Sequence, residues 1–306
     1  MDGFPRRKHL WYACFNTLLS CLILANSRGK GKDSVGYFEK LQAAIAARQS
    51  LVCVGLDPEL SRLPLHLPRS IDGVRRFLQE IIDATSEFAC AYKPNLAFFE
   101  ALGPAGLELL SATIDAIPSD LPVIGDAKRG DVGNTARQYA TALFDQLHFD
   151  AVTVNPYLGE DALEPFLDYT DRGIYVLCRT SNPGAAAVQN LMVERDGEAR
   201  PLYEQIALLV QSWNRHNNCG LVVGATAPVE LSKIRDLTPE LPLLVPGVGA
   251  QGGELAAAVM AHRASAPVVI NASRAILYAS NDSGFARSSA TAARGLRDTI
   301  RQIQQG

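Results

Sequence analysis

The chain has 306 residues, of which 47% are hydrophobic and 20% charged, and its formal net charge at pH 7 is −3. These values are typical of a globular protein with a large core, and the small net charge argues against a nucleic-acid partner or an acidic membrane surface. Six cysteines are scattered without a CxxC pair, so we expect buried thiols at Cys53, Cys90 and Cys178 and neither a zinc site nor a disulfide framework.

The first 33 residues differ from the rest of the chain. Basic residues precede an apolar run from Trp11 to Ala25, which is shorter than the roughly 20 residues that a membrane span needs. The run resembles a secretory signal in outline. The alternative is an extension from an upstream start or a poorly ordered tail, which fits better with the intracellular character of the remaining sequence. We therefore predict an N-terminal extension over 1–33 and one folded domain over 34–306.

From Val35 onward, apolar residues at helical spacing alternate with short, continuously apolar runs. Helical patterns occur at about 35–45, 73–84, 98–117, 135–147, 161–167, 201–214, 228–236 and 254–262. A closing helix carries Ala293, Leu296, Ile300 and Ile303 on one face. The apolar runs have the pattern of strands buried on both faces, and they lie at 51–56, 88–93, 122–128, 150–155, 173–178, 220–225, 242–247 and 267–272.

This alternation of strands and helices predicts the fold class. Strict βα order favours a parallel sheet, and eight units favour closure into a (βα)8 TIM barrel. An open doubly wound sheet is the alternative, although no GxGxxG motif follows the first strand. The longest segment without periodicity, 182–200, follows the fifth strand and has the length of a lid or a binding loop.

Polar side chains follow several of these strands, at the end where such barrels carry their functional groups. Because residues i and i+2 of a strand share a face, Asp126 and Lys128 are expected to point into the barrel mouth, with Ala127 packed outward and Lys93 beside Asp126. A nearby carboxylate keeps a lysine protonated. This favours a proton donor or an electrostatic role over a Schiff-base nucleophile. Asp131 is equally well explained as the N-cap of the next helix.

Two segments near the C-terminus suggest an anion site. PGVGAQGG (246–253) precedes a helix, and Arg274 follows the eighth strand. Glycine-rich backbone N–H groups and an arginine suit a phosphate, and the loops after strands seven and eight are its usual place in this architecture. The alternative is that the glycines form only a tight turn and Arg274 caps a surface.

The motif DAKRGD (126–131) resembles the DxKxxD signature of orotidine 5′-phosphate decarboxylases. Five other segments are similar to the second, mainly bacterial subgroup of that family, in the expected order: VGLDPEL (54–60), YKPNLAFFE (92–100), TSNPGA (180–185), VPGVGAQGG (245–253) and NASRAILYAS (271–280). About the first 30 residues have no counterpart in the family pattern. Ser273 stands where many members have a glycine before the arginine.

The resemblance implies a decarboxylation of orotidine 5′-phosphate to UMP and CO2, the last step of de novo UMP synthesis, without metal or cofactor, in a cytoplasmic homodimer. It implies a catalytic array of Lys93, Asp126, Lys128 and Asp131, in which Lys128 protonates C6 and Asp131 reaches the neighbouring subunit's site. The remaining substrate contacts that it implies come from Asp57 at the ribose, Ser181 at the pyrimidine, Thr135 across the subunit interface, and Pro246, Gln251, Ser273 and Arg274 at the phosphate.

Two alternatives remain open on the sequence. A magnesium-dependent sugar-phosphate decarboxylase of the 3-keto-gulonate-6-phosphate type shares the DxKxxD frame, although the NPGA loop with Ser181 argues against it. A catalytically inactive nucleotide-binding barrel is the other alternative, although all four positions of the array are occupied.

Overall fold

The computed structural model describes residues 36–248 and 252–306. Its strands are β1 (Val52–Leu56), β2 (Ala91–Pro94), β3 (Ile124–Arg129), β4 (Ala151–Val154), β5 (Gly173–Arg179), β6 (Met192–Arg195), β7 (Glu198–Pro201), β8 (Cys219–Val223), β9 (Leu243–Pro246) and β10 (Val268–Ala272). Eight of them form a parallel sheet in the order β2-β1-β10-β9-β8-β5-β4-β3. Isolated parallel bridges, Tyr92 with Val123 and Asn95 with Asp126, join the two outer strands. The sheet is therefore a nearly closed barrel, and all eight predicted strands are confirmed.

The helices of the described residues lie between these strands. They are α1 (Tyr37–Arg48), α2 (Ile71–Thr85), α3 (Leu96–Glu100), α4 (Pro104–Ala116), α5 (Gly133–Thr141), α6 (Glu160–Leu167), α7 (Ala186–Gln189), α8 (Leu202–Trp213), α9 (Pro228–Leu237), α10 (Gly252–Met260), α11 (Arg274–Leu277) and α12 (Phe285–Gln305). The prediction of one helix over 98–117 is wrong, because the chain breaks at Gly103 (φ +71°). Pro104 begins a new helix there, since proline is accepted in a first helical turn and not in an interior.

The segment 182–200 is also more regular than its sequence pattern predicts. It contains the short helix α7 and an antiparallel hairpin of β6 and β7. Asp196 (φ +54°) and Gly197 (φ +80°) form its turn. An Asp-Gly pair favours a two-residue hairpin turn, because both central residues need positive φ. The Asp196-Gly197 pair is therefore the feature of the sequence from which the hairpin could have been predicted.

The barrel interior is filled by one inward side chain from each strand. This buried layer consists of Cys53, Ala91, Ile124, Ala151, Tyr175, Val222, Leu244 and Val269. Helix α1 closes the amino end of the barrel below it: the Tyr37 hydroxyl donates to the Tyr175 hydroxyl at 3.1 Å, and Lys40 pairs with Asp150 at 2.9 Å. With its amino end filled, the barrel is a packed core whose carboxyl end alone is left to form a site.

A second, larger core lies between the sheet and the outer helices. There Phe77 of α2 stacks on Phe285 of α12, with ring centroids 5.3 Å apart. The four described cysteines are buried and free, as expected for Cys53, Cys90 and Cys178. No helix among the described residues has both the length and the apolar character to cross a membrane.

Candidate active site

The site occupies the next inward position of the strands, two residues beyond the buried layer. Strand parity places there Gly55, Lys93, Asp126, Thr153, Leu177, Gly224, Pro246 and Asn271. A cavity of about 650 Å³ lies at this end of the barrel. Its lining includes Asp57, Lys93 and Asp126 together with Pro246, Ser273 and Arg274. The structure therefore brings together six of the predicted site residues at one cavity.

Asp126 sits between two lysines. Its Oδ2 accepts a hydrogen bond from Lys93 Nζ at 2.6 Å, and its Oδ1 accepts one from Lys128 Nζ. Burial by itself disfavours the Asp126 carboxylate, but the two ammonium groups outweigh it and hold the pKa of Asp126 well below its ordinary value. Burial also opposes the charge on Lys93, yet Asp126 and Asp57 raise the pKa of that lysine above its ordinary value. Asp126 and Lys93 are both charged at neutral pH.

Lys128 reaches Asp126 by a route that strand parity does not predict. The pairing of β3 with β4 shifts between Gly125 and Arg129, and Lys128 has φ +48°. A β-bulge, not a regular i and i+2 alternation, turns Lys128 toward Asp126. Ala127 is packed into the outer core as predicted. Arg129 lies outside the array, where it pairs with Glu100 of α3.

A second polar group lines the cavity around Asp57. Burial raises the pKa of the Asp57 carboxyl, and Lys93 partly opposes that shift. The Oδ1 atoms of Asp57 and Asn271 are buried and have no hydrogen-bond partner among the described residues. Gly55 makes room for this group, because a Cβ atom there would lie 1.9 Å from Ser273 Oγ. Two residues of the cavity lining thus each carry a buried acceptor whose hydrogen-bonding capacity is unused in the described part of the chain.

The part of the lining that follows β9 and β10 has the composition of an anion site. Arg274 is exposed at the start of α11 and lines the cavity with Pro246 and Gly247. Ser181 lies beside this part of the lining, since a Cβ atom on Gly247 would be 3.4 Å from its Oγ. Gln251, the remaining predicted phosphate contact, lies outside the described residues.

Asp131 and Thr135 are not among the residues that line this cavity. Thr135 is exposed in the first turn of α5, and Asp131 Oδ1 accepts a hydrogen bond from the Val132 N–H at 2.8 Å. The N-cap of α5 is Val132, without a side-chain cap bond. The interpretation of Asp131 as that N-cap is therefore wrong.

Two residues of the site, Thr153 and Arg62, were missed from the sequence. Thr153 lies inside an apolar run, where parity with Lys93 and Asp126 could have identified it as an inward polar position. Arg62 lines the cavity. Its guanidinium carbon lies 3.8 Å from the centroid of the Tyr278 ring. No sequence pattern marks Arg62, because its position depends on an isolated 3₁₀ turn, Leu60–Arg62.

No group of three or more His, Cys, Asp or Glu side chains in the described ranges is arranged to hold a metal ion. The site is therefore described by its ammonium, guanidinium and carboxylate groups. Together they present alternating charges and an arginine at the carboxyl end of the barrel.

Comparisons of the sequence and of the structure with known proteins agree on one family. Residues 50–288 match the model of the orotidine 5′-phosphate decarboxylase / HUMPS family. Orotidine 5′-phosphate decarboxylase of Herpetosiphon aurantiacus is 53% identical over 253 residues, which cover 82% of this chain and 93% of that protein. The Thermomicrobium roseum protein of the same name is 50% identical over 274 residues, 89% of this chain and 97% of its own length. The structure of Leishmania donovani OMP decarboxylase superposes with a TM-score of 0.77 at 39% identity, and covers 89% of this chain and 100% of its own.

Proposed function

The chain belongs to the orotidine 5′-phosphate decarboxylase / HUMPS family, and on that premise we propose that it converts orotidine 5′-phosphate to UMP and CO2 with the residues of this cavity. The observation that carries the proposal is the ion-paired array of Lys93, Asp126 and Lys128, of which Lys93 and Asp126 line the same cavity as the exposed Arg274. The reaction breaks the bond between C6 and the carboxylate and leaves an electron pair on C6. The protein must stabilise that charge and deliver a proton.

Asp126 and Lys128 divide this work. The substrate carboxylate lies near Asp126, whose depressed pKa keeps it ionised, so like charges repel in the bound substrate and the repulsion ends when CO2 departs. Lys128 faces the electron pair that forms on C6, stabilises it electrostatically and transfers a proton from Nζ to C6. Its side chain is 49% exposed, so the neutral amine regains a proton from solvent.

The other residues bind parts of the substrate that do not react. Lys93 holds Asp126 at 2.6 Å and contacts the ribose, whose hydroxyls also donate to Asp57. Ser181 hydrogen-bonds the pyrimidine. Arg274 clamps the phosphate, with Pro246, Gln251 and the backbone at Ser273 beside it. Binding energy from the remote phosphate supports the strained arrangement at C6, which raises the rate as well as the affinity.

We infer that two copies of the chain form the working unit. Asp131 and Thr135 lie outside their own cavity, next to exposed apolar side chains at Val132, Tyr157 and Leu158, which are 54%, 87% and 42% exposed. The loops that carry them are neighbours, since the Asn155 N–H donates to the Arg129 carbonyl at 2.8 Å. Exposed apolar side chains on neighbouring loops favour a self-complementary interface. Asp131 and Thr135 then complete the partner's site.

The proposal is tested with purified protein and orotidine 5′-phosphate, followed by the loss of pyrimidine absorbance. Lys128→Ala should abolish turnover and leave the melting temperature nearly unchanged, because the side chain is half exposed. Near-normal turnover by this variant would refute the proton-donor role. Activity should survive added EDTA, whereas a magnesium-dependent sugar-phosphate enzyme would lose it. Tight binding of a UMP analogue without release of CO2 would identify the inactive nucleotide-binding alternative.

The shared site has its own test. Lys128→Ala and Asp131→Ala are each expected to be inactive, but a mixed dimer has one site with both defects and one with none. Random mixing of the two variants should therefore restore about a quarter of wild-type activity. No recovery, with mixed dimers shown to be present, would place Asp131 in its own subunit's site.

A further inference from the structure

Thr153, the inward residue of β4, uses every hydrogen bond that its hydroxyl can make. The side chain is 1% exposed. Its Oγ1 accepts from the backbone N–H groups of Ala127 and Lys128, both at 3.0 Å, and donates to Asp126 Oδ1 at 3.2 Å. A hydroxyl has one proton and two lone pairs, so this hydroxyl is fully engaged with consecutive residues of the array segment.

These bonds hold the bulge in β3. Gly125 pairs with Val152 and Arg129 pairs with Val154, so three residues of β3 lie opposite Thr153 alone. The interruption leaves backbone N–H groups without the partners of a regular ladder, and a buried N–H group needs an acceptor. The Thr153 hydroxyl supplies that acceptor. It also stabilises Lys128 at φ +48°, a left-handed conformation disfavoured for residues other than glycine.

We propose that Thr153 is a positioning residue for the decarboxylation, an inference that rests on the proposed function. The Thr153 hydroxyl fixes both the backbone direction from which the Lys128 side chain departs and the orientation of the Asp126 carboxylate. The proton donor and the group that repels the substrate carboxylate are thereby placed relative to one another. Thr153 acts through these two residues and not on the substrate itself.

Loss of the Thr153 hydroxyl should therefore lower kcat without weakening substrate binding. The groups assigned to the ribose and phosphate lie on other elements, at the ends of β1, β2, β9 and β10. Loss of the Thr153 hydroxyl should leave them in place and displace Lys128 from C6. Misplacement of a reacting group by about 1 Å can lower the rate about 10²-fold. We expect a fall of that order in kcat, with KM and the dissociation constant of UMP within about threefold of wild type.

The test compares four variants of the full chain. Thr153→Val keeps the shape of the side chain and removes the hydroxyl, and Thr153→Ser restores the hydroxyl. Thr153→Cys is compared directly with Thr153→Ser, because a thiol is only a weak hydrogen-bond donor and acceptor whereas the serine hydroxyl keeps the hydrogen bonds. Thr113→Val is the matched control: Thr113 is buried in α4 and its hydroxyl donates to the Leu109 carbonyl at 2.7 Å. It reports what loss of a buried threonine hydroxyl does to melting temperature and turnover elsewhere in the fold.

Supporting results are a large loss of kcat in Thr153→Val and Thr153→Cys, with KM retained, and near-normal kcat in Thr153→Ser and Thr113→Val. The serine and cysteine pair decides the question if the valine variant does not fold. The inference is overturned if Thr153→Cys retains kcat within about threefold of Thr153→Ser, or if KM rises as much as kcat falls. A wild-type protein with no turnover of orotidine 5′-phosphate would instead refute the proposed function.

Discussion

Replacement of Asp126 by asparagine tests whether the array is held together by charge. The change keeps the size of the side chain and removes the carboxylate that contacts both Lys93 and Lys128. Lys93 is 3% exposed, and Asp57 is then its remaining carboxylate neighbour in the described part of the chain. Removing one partner of a buried ion pair costs about 3–5 kcal/mol. We expect about 3 kcal/mol, the lower end of that range, because Asp57 remains and the cavity is open to solvent.

The assay is thermal unfolding across a range of pH. A loss of about 3 kcal/mol should lower the melting temperature by about 6–10 °C for a domain of this size. In the wild type the raised pKa of Lys93 gives stability that is full below the ordinary lysine pKa and is lost as pH rises through the folded value. In Asp126→Asn, burial without Asp126 lowers that pKa. The loss of stability in Asp126→Asn is then complete at any pH below the lowered pKa of Lys93. It becomes smaller as the pH rises toward about 10, the ordinary pKa of a lysine. The difference between the two proteins should therefore narrow at high pH.

A double variant provides the control. Lys93→Met in the Asp126→Asn background removes the unpaired charge, so most of the lost stability should return, since a buried ion pair replaced by apolar groups is often nearly neutral. Catalysis should not return, and both proteins should have kcat reduced by at least about 10³-fold. The reasoning is refuted if Asp126→Asn melts within about 1 °C of wild type, or if the double variant is no more stable than the single one.

Three further predictions concern the residues around the charged array. Arg274→Ala should lower kcat/KM about 10²-fold, as expected for loss of charged hydrogen bonds to a phosphate, whereas the exposed Arg75→Ala should have no effect in the same assay. Gly55→Ala should impair activity because its Cβ would lie 1.9 Å from Ser273 Oγ, and the added change Ser273→Gly should restore it in steady-state kinetics; no recovery would mean that the clash is elsewhere. Asp57→Asn should weaken substrate binding and raise the melting temperature at neutral pH, because the raised pKa means that the ionised carboxyl destabilises the folded state. This gain should fade as pH falls below about 4, where both folded and unfolded states are protonated, and an unchanged melting temperature at pH 7 would contradict it.

The barrel was predictable because eight strands buried on both faces leave an unusually regular pattern. Each apolar run contributes one residue to the buried interior layer, such as Cys53, Ile124 and Tyr175. The residue two positions later belongs to the site. Counting two positions beyond the buried layer gives Lys93, Asp126, Thr153 and Asn271, so strand parity alone predicts much of the candidate site.

What could not be predicted depends on contacts between distant segments. At the bulge, the Lys128 N–H donates to the Thr153 hydroxyl, 25 residues away along the chain, and no pattern near DAKRGD indicates this contact. Arg62 lies in the cavity because it stacks on Tyr278. The hairpin of β6 and β7 differs from these cases, since Asp196 and Gly197 are a local turn signal that outweighs the lack of periodicity.

Under the proposed function, the distribution of charge assigns the array to the chemistry more than to the stability of the barrel. One layer below it, the same strands are filled with apolar side chains, and burial raises the pKa of the Cys53 thiol to about 12 there, as expected of a dry interior. Replacing a lysine and an aspartate by apolar groups would extend that packing upward at little cost to folding. Instead the chain places the buried Lys93 against the nearly buried Asp126, adds the disfavoured backbone of Lys128, and leaves acceptors on Asp57 and Asn271 without partners among the described residues. The ion pair offsets the cost of its own burial, but the Lys128 backbone and the unpartnered acceptors disfavour the free protein. Under the proposed function these features serve the bound substrate, which is the expected trade between stability and activity at a preorganised site.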